Sequence, residues 1–177
     1  MANVHDWRVE LIEAHSALFQ PPKGHPERAS GYPWCEQGWQ GLLERMCSRI
    51  EAALRHGERI HFSQVKEKFG ELRVYWRGEV SPETADRIMH AISLARARSA
   101  CTCEECGDEG RLYNKSGFYM TRCSQHAQGV EVPAEPGREN VHLVRRNWGT
   151  SNVYYAHYDR ERDTLTELPP PSPKQEG

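Results

Sequence analysis

The stretch Cys103-Glu104-Glu105-Cys106-Gly107, answered further along by Cys123-Ser124-Gln125-His126, decides how this chain is read; sixteen residues separate Cys106 from Cys123. Two pairs with the form C-x2-C and C-x2-H can close around one metal ion. Soft thiolates and an imidazole suit Zn²⁺, and four protein ligands leave no coordination position open for a substrate. The spacing therefore predicts a structural zinc ion held by Cys103, Cys106, Cys123 and His126, and names a scaffold rather than an activity. Cys101 offers a substitute for Cys103, but at a looser spacing to Cys106, so Cys103 is the preferred ligand.

Between the two pairs, residues 110–113 and 118–121 read as short strands around Lys115-Ser116-Gly117. A knuckle, a hairpin and a second ligand pair at a helix start suggest a treble-clef-like unit over residues 101–128. Upstream, Ser81-Pro82-Glu83 opens a helix with an N-cap serine and a proline at its first position. Ala85, Ile88, Ile92 and Ala95 form its apolar face, Arg96 and Arg98 sit near its end, and it delivers the chain into the cysteines.

Two β-rich runs precede that helix, Ile60 to Val65 and Leu72 to Trp76, with Lys66 to Phe69 leading into a turn at Gly70. They predict a β-hairpin. Before it, Trp39, Leu42, Leu43, Met46, Cys47, Ile50, Ala53 and Leu54 recur at helical spacing, so a helix spans about 36–55 and Cys47 is a buried small hydrophobe. Trp7, Leu11, Ile12, His15, Leu18 and Phe19 mark one further short helix, with His15 a half-buried structural histidine. Residues 20–34 carry four prolines and read as an irregular connection.

Downstream, 129–138 reads as a linker. Residues 139–168 form a C-terminal β extension, in which 141–144 pairs with 153–156 across Asn147-Trp148-Gly149 and 164–166 adds a strand. Residues 169–177 read as a disordered proline-rich tail. The expected fold is α+β: a helix and β-hairpin core with its zinc unit over 1–128, then the extension.

Three segments together resemble a family of small zinc-binding proteins found in phages, prophages and bacterial genomes. They are Glu36-Gln37-Gly38-Trp39 entering a helix, Val65-Lys66-Glu67-Lys68-Phe69-Gly70-Glu71-Leu72-Arg73-Val74-Tyr75, and the two ligand pairs. The resemblance covers residues 7 to about 128. It implies the zinc ligands and the α+β arrangement, and brings no activity with it. Gln37 stands where the pattern has an acidic residue, so no acid at that place is available for chemistry.

The 177 residues carry 23 basic and 25 acidic side chains, a net charge of −2, and 37% hydrophobic residues. That bounds the chain to about one domain with a modest core that a metal would reinforce. No run approaches a membrane span, and no basic flank with an apolar run marks a signal peptide. Three of the six cysteines fall into metal spacing, so a reducing cytoplasm is the expected compartment.

Catalytic readings lack parts. A ββα-metal nuclease needs a histidine in its hairpin, and none lies between Cys106 and Cys123. A zinc deaminase needs an open position and a glutamate beside its ligand histidine, whereas His126 is followed by Ala127-Gln128. His142, His157 and Asp159 have no positioned partners in sequence.

Two basic and aromatic clusters remain. Lys66, Lys68, Arg73 and Arg77 surround Tyr75 on the first hairpin, where alternation puts Arg73, Tyr75 and Arg77 on one face. Arg145, Arg146, Trp148, Tyr154, Tyr155 and Tyr158 mark the C-terminal hairpin as a second such surface. Acids offset both, so the favoured expectation is a non-enzymatic protein-interaction role, as adaptor or inhibitor, with aromatic and arginine anchors. By analogy with the phage-type family the partner would be a host protein. The alternative expectation is a nucleic-acid-binding accessory protein using the same hairpins.

Overall fold

The computed structural model describes residues 6–169. The fold is α+β, with four α-helices and three small sheets among the described residues. The tail expected from 169 onward lies outside the described residues except for Pro169.

Helix α1 (Trp7–Ala14) starts where Asp6 accepts a hydrogen bond from the Arg8 amide at 3.0 Å. The expected single helix is broken at His15, which leaves the helical region and faces Glu51 at 3.0 Å. Helix α2 (Ser16–Phe19) continues the stripe, so Trp7, Leu11, Ile12, Leu18 and Phe19 are all buried. The proline-rich stretch that follows is not wholly irregular. It contains β1 (Pro33–Trp34), which pairs in parallel with the first long strand. A two-residue strand shows no period, which is why the sequence reading passes over it.

A 3-10 turn (Gln37–Trp39) leads into α3 (Gln40–Ala53), whose expected face is buried from Leu42 to Ala53. Strands β2 (Arg59–Lys68) and β3 (Glu71–Glu79) are longer than expected, with Lys66, Glu67 and Lys68 inside β2. Only Phe69 and Gly70 make the turn, with φ of 57° and 80°. Two consecutive left-handed residues give the primed turn whose twist matches the flanking strands.

Helix α4 (Pro82–Ser99) is capped by Ser81, whose hydroxyl accepts from the Thr84 amide at 3.3 Å. The main core lies between the helices and the inner face of the β1-β2-β3 sheet, around Trp39, Leu43, Met46, Ile50, Phe62, Leu72 and Ile88. At about 25 cal/mol per Å² of apolar surface, each such side chain contributes roughly 1.5–3 kcal/mol.

The second sheet joins β4 (Arg111–Lys115), β5 (Phe118–Arg122) and β6 (Val130–Glu131). Strand β6 falls inside the stretch read as linker. It returns the chain alongside β4, and the Val132 amide extends the ladder to the Leu112 carbonyl at 2.8 Å. The third sheet is β7 (Val141–Arg145), β8 (Val153–Asp159) and β9 (Thr164–Glu167), close to the expected extension.

That third sheet is fixed to α4. Tyr158 is fully buried against Leu94, Ala97 and Cys101. Its hydroxyl donates to Asp163 and accepts from Arg98 at 3.2 Å, while Arg49 from α3 reaches Asp163 at 2.8 Å. At the other end Trp148 packs on Trp76 with ring centroids 4.7 Å apart, and Asp86 accepts from the Trp148 amide at 2.7 Å. Among the described residues no helix is long and apolar enough to cross a membrane.

Candidate metal centre

The end of α4 and the start of β4 bring Cys103 and Cys106 together through a tight knuckle. The Gly107 amide donates to the Cys103 carbonyl at 2.9 Å, and the Cys103 amide to the Asp108 carbonyl at 2.7 Å. Gly107 has φ +84°, a conformation glycine adopts without a Cβ penalty. After β5 a turn closed by the His126 amide on the Cys123 carbonyl, at 3.2 Å, presents the other pair.

One donor atom from each of Cys103, Cys106, Cys123 and His126 lies within 4.8 Å of the other three, so the group can hold a metal ion. The Cys106 and Cys123 sulfurs are 3.7 Å apart, far longer than a disulfide bond. His126 Nδ1 lies 3.6 Å from the Cys103 sulfur and 3.3 Å from that of Cys123. Its other ring nitrogen points toward Glu105, 3.7 Å away, so a carboxylate can orient the imidazole.

Crowding three sulfurs has an electrostatic cost that a cation relieves. The Asp108 amide favours the Cys106 thiolate, yet desolvation and the Cys103 and Cys123 sulfurs outweigh it and push the thiol up to about 12. Cys123 moves the other way. Desolvation works against its thiolate, but the amides of His126 and Gln125 and the neighbouring sulfurs hold the thiol below its usual range. Three sulfurs this close repel one another as thiolates, and a divalent cation among them would offset that repulsion.

Cys101 is no part of this group. Its sulfur turns back toward the Arg98 carbonyl at 3.4 Å and is buried with Tyr158. Cys35 and Cys47 are buried, and burial pushes the Cys35 thiol up to about 12. Histidines with a glutamate two residues on do occur, at His25 and His56, but neither belongs to the cluster. Glu27 faces His25 at 3.0 Å, and Glu58 caps the segment before α4.

Sequence reasoning missed what surrounds the ligands. The Gly38 amide donates to the Glu104 carbonyl at 2.7 Å, and Trp39 Nε1 to the Thr102 carbonyl at 2.9 Å. A Cβ on Gly38 would lie 2.3 Å from the Cys103 carbonyl oxygen. From the other side Thr121 Oγ1 donates to the Gly70 carbonyl at 2.6 Å. Buried Glu104 accepts from Arg122 at 2.8 Å and from the Glu36 amide at 3.2 Å. Residues 36–39 therefore lie against the cysteine knuckle, and the Gly70 turn lies against β5 beside it. The one signal in sequence was their glycines.

The two basic and aromatic clusters fare differently. Lys66, Arg73, Tyr75 and Arg77 lie on the side of the first sheet opposite the core, and Lys68 shares their side, its ammonium 5.3 Å from the Phe69 ring. The second cluster is divided. Arg146 pairs with Glu167 and stacks over Tyr154, and Trp148 packs on Trp76, both toward the body of the protein. Arg145 and Tyr155 project from the opposite face of the third sheet, with Leu143 and Val153. No family model, curated protein or solved structure matches the chain.

Proposed function

We propose that this chain is a non-enzymatic, zinc-stapled protein-interaction module whose metal has a structural role. Support for zinc is geometric. Metal bonds of about 2.3 Å to sulfur and 2.0–2.1 Å to nitrogen give a tetrahedron with edges of ~3.8 Å between sulfurs and ~3.6 Å from sulfur to nitrogen. The 3.7, 3.6 and 3.3 Å separations among the donors lie close to those edges. The order of a knuckle before β4 and a partner pair after β5 supports a treble-clef-like unit, although Cys123 and His126 sit in a turn rather than at the expected helix start. Four ligands saturate the ion, which supports structure over catalysis.

The observation that carries the interaction reading is the outer face of the third sheet. Leu143 and Tyr155 share one rung and Arg145 and Val153 the next; Leu143 is 50% exposed, Val153 46% and Tyr155 39%. Arg138 lies over the Tyr155 ring at 5.1 Å. A contiguous apolar patch rimmed by arginines, on a sheet held rigidly from behind by Tyr158 and Asp163, fits a partner protein with an apolar patch flanked by carboxylates. The phage-type resemblance makes a host protein the expected partner, met in the cytoplasm.

A photo-crosslinking residue at Leu143 tests this in cells of the host. One discrete partner is expected, with capture abolished by Val153→Asp and by Tyr155→Ala. Capture spread over many proteins, or indifferent to both substitutions, removes the reading.

A further inference from the structure

The first sheet has one face in the core and one in solvent. Ile60, Phe62, Val65 and Leu72 are buried on the inner side. On the outer side the pairing register builds ordered rows. Trp34, Lys66 and Arg73 lie side by side across β1, β2 and β3. Gln64 and Tyr75 form the next row, then His61 and Arg77; Lys68 and Glu71 lie on the other side of the first row.

Trp34 is 71% exposed and Tyr75 52%. Tyr32 meets the Trp34 ring edge-on at 5.7 Å and steadies it. With two strand spacings and one side-chain repeat between them, the two rings are roughly 12 Å apart.

The charges on this face do not cancel. Lys66, Lys68, Arg73 and Arg77 share this face with two acids: Glu79, next to Arg77 along β3, and Glu71, which is already shared by Arg73 and Arg96 at 2.8 Å each. Arg59 stands across from Glu79 in the register at the far end of the sheet and adds a fifth cation to the face. Lys66 and Arg77 make no ion pair with any described residue. A chain whose net charge is −2 thus concentrates unneutralised cations around two protruding rings.

We propose that this outer face of the β1-β2-β3 sheet binds single-stranded nucleic acid, with Trp34 and Tyr75 stacking bases and Lys66, Arg73 and Arg77 contacting phosphates. The chemistry selects the ligand. Cations alone would suit any polyanion, but rings standing off a flat sheet need partners with exposed π-faces, which unpaired bases have and a duplex hides. DNA and RNA strands share this chemistry. The site is separate from the outer face of the third sheet and stands whether or not that face binds a protein.

The test is fluorescence anisotropy on the full, zinc-loaded chain over a salt series. Probes are labelled oligothymidine and oligouridine of about 20 nucleotides, a duplex of the same length, and polyglutamate as a competitor. Binding to the single strands on the order of micromolar at low salt is expected, with the two strands ranking DNA against RNA. Trp34→Ala and Tyr75→Ala should each weaken it about tenfold. Replacing Lys66 and Arg77 together by glutamine should flatten the log–log salt slope by about 1.4.

Tyr75→Ala serves by itself should Trp34→Ala disturb Tyr32, and melting curves establish that both variants are folded. Leu143→Asp should bind as the parent does. No binding at low salt, equal binding to duplex, equal competition by polyglutamate, or indifference to the ring substitutions each overturns the assignment.

Discussion

The Gly38 amide donates to the Glu104 carbonyl at 2.7 Å, so the entrance to α3 is hydrogen-bonded to the loop between Cys103 and Cys106. Gly38 has no room for a side chain, because a Cβ would meet two carbonyl oxygens at 2.3 and 2.5 Å. Gly38→Ala should therefore destabilise the fold by about 2–3 kcal/mol, since backbone on both sides must shift. Gly41, in the first turn of α3, is the contrast, with its nearest neighbour an arginine tip at 3.7 Å. Gly41→Ala should stabilise by about 0.5–1 kcal/mol through helix propensity. Urea unfolding of the two variants checks the opposite signs.

Removing the metal should open the knuckle and whatever leans on it. Trp39 is fully buried and bonded to the Thr102 carbonyl, so chelation should lower the melting temperature and move tryptophan emission to longer wavelength. Structural zinc sites contribute apparent energies on the order of 10 kcal/mol or more. Metal analysis should find one ion per chain, retained in Cys101→Ser and lost in Cys106→Ser. A chelated protein with unchanged melting and emission would contradict a structural metal.

Tyr158 and Asp163 hold the third sheet in place. Burial alone would raise the Asp163 carboxyl, but hydrogen bonds from Tyr158 and Arg49 and the charges of Arg49 and Arg45 hold it below its usual range. Tyr158→Phe should cost about 1.5–3 kcal/mol, the value of a hydrogen bond with a charged partner. Asp163→Ala should cost more, because Arg45, Arg49 and Arg98 would converge with no counter-charge. Hydrogen exchange along β8 reports this: faster exchange there, with α3 protected, is expected from either variant.

Glu58 links the end of the α3 loop to α4. It accepts from the amides of Ser81 at 2.7 Å and Arg55 at 2.8 Å and from the Thr84 hydroxyl at 2.8 Å. Those bonds, the amides foremost, hold its carboxyl at about 2 against an ordinary 4.5. A depressed carboxyl stabilises the fold above its unfolded value and loses that stabilisation as pH falls through the folded one. The melting-temperature gap between wild type and Glu58→Gln should be widest above about pH 4.5 and shrink toward pH 2. A gap that stays constant across that window refutes the role.

The parts of this structure with a period were legible from residues alone. Leu42 to Ala53 showed α3, alternation around Arg73 and Tyr75 showed the hairpin faces, and ligand spacing brought together the four side chains that now cluster. What escaped reading has no local signature. Pro33-Trp34 and Val130-Glu131 are strands because of distant partners, and two residues cannot display alternation. Tyr158 looked like one surface tyrosine among several, and only the three-dimensional approach of Leu94, Ala97 and Asp163 makes it core. The second basic cluster was a neighbourhood in sequence that β7 and β8 divide between two faces.

Trp39 and Gly70 both wait for a part of the chain made much later. A ribosome delivers α3 and the first hairpin well before it delivers Cys103 and His126, so the nascent protein carries a tryptophan without its lid and a turn without its floor. Closure over them needs the last of the four clustered side chains to emerge. On the proposed zinc reading, metal supply would then act as a maturation checkpoint, and in a zinc-starved cell the first casualty should be newly made chains, open at Trp39 and exposed to proteases, rather than molecules already closed.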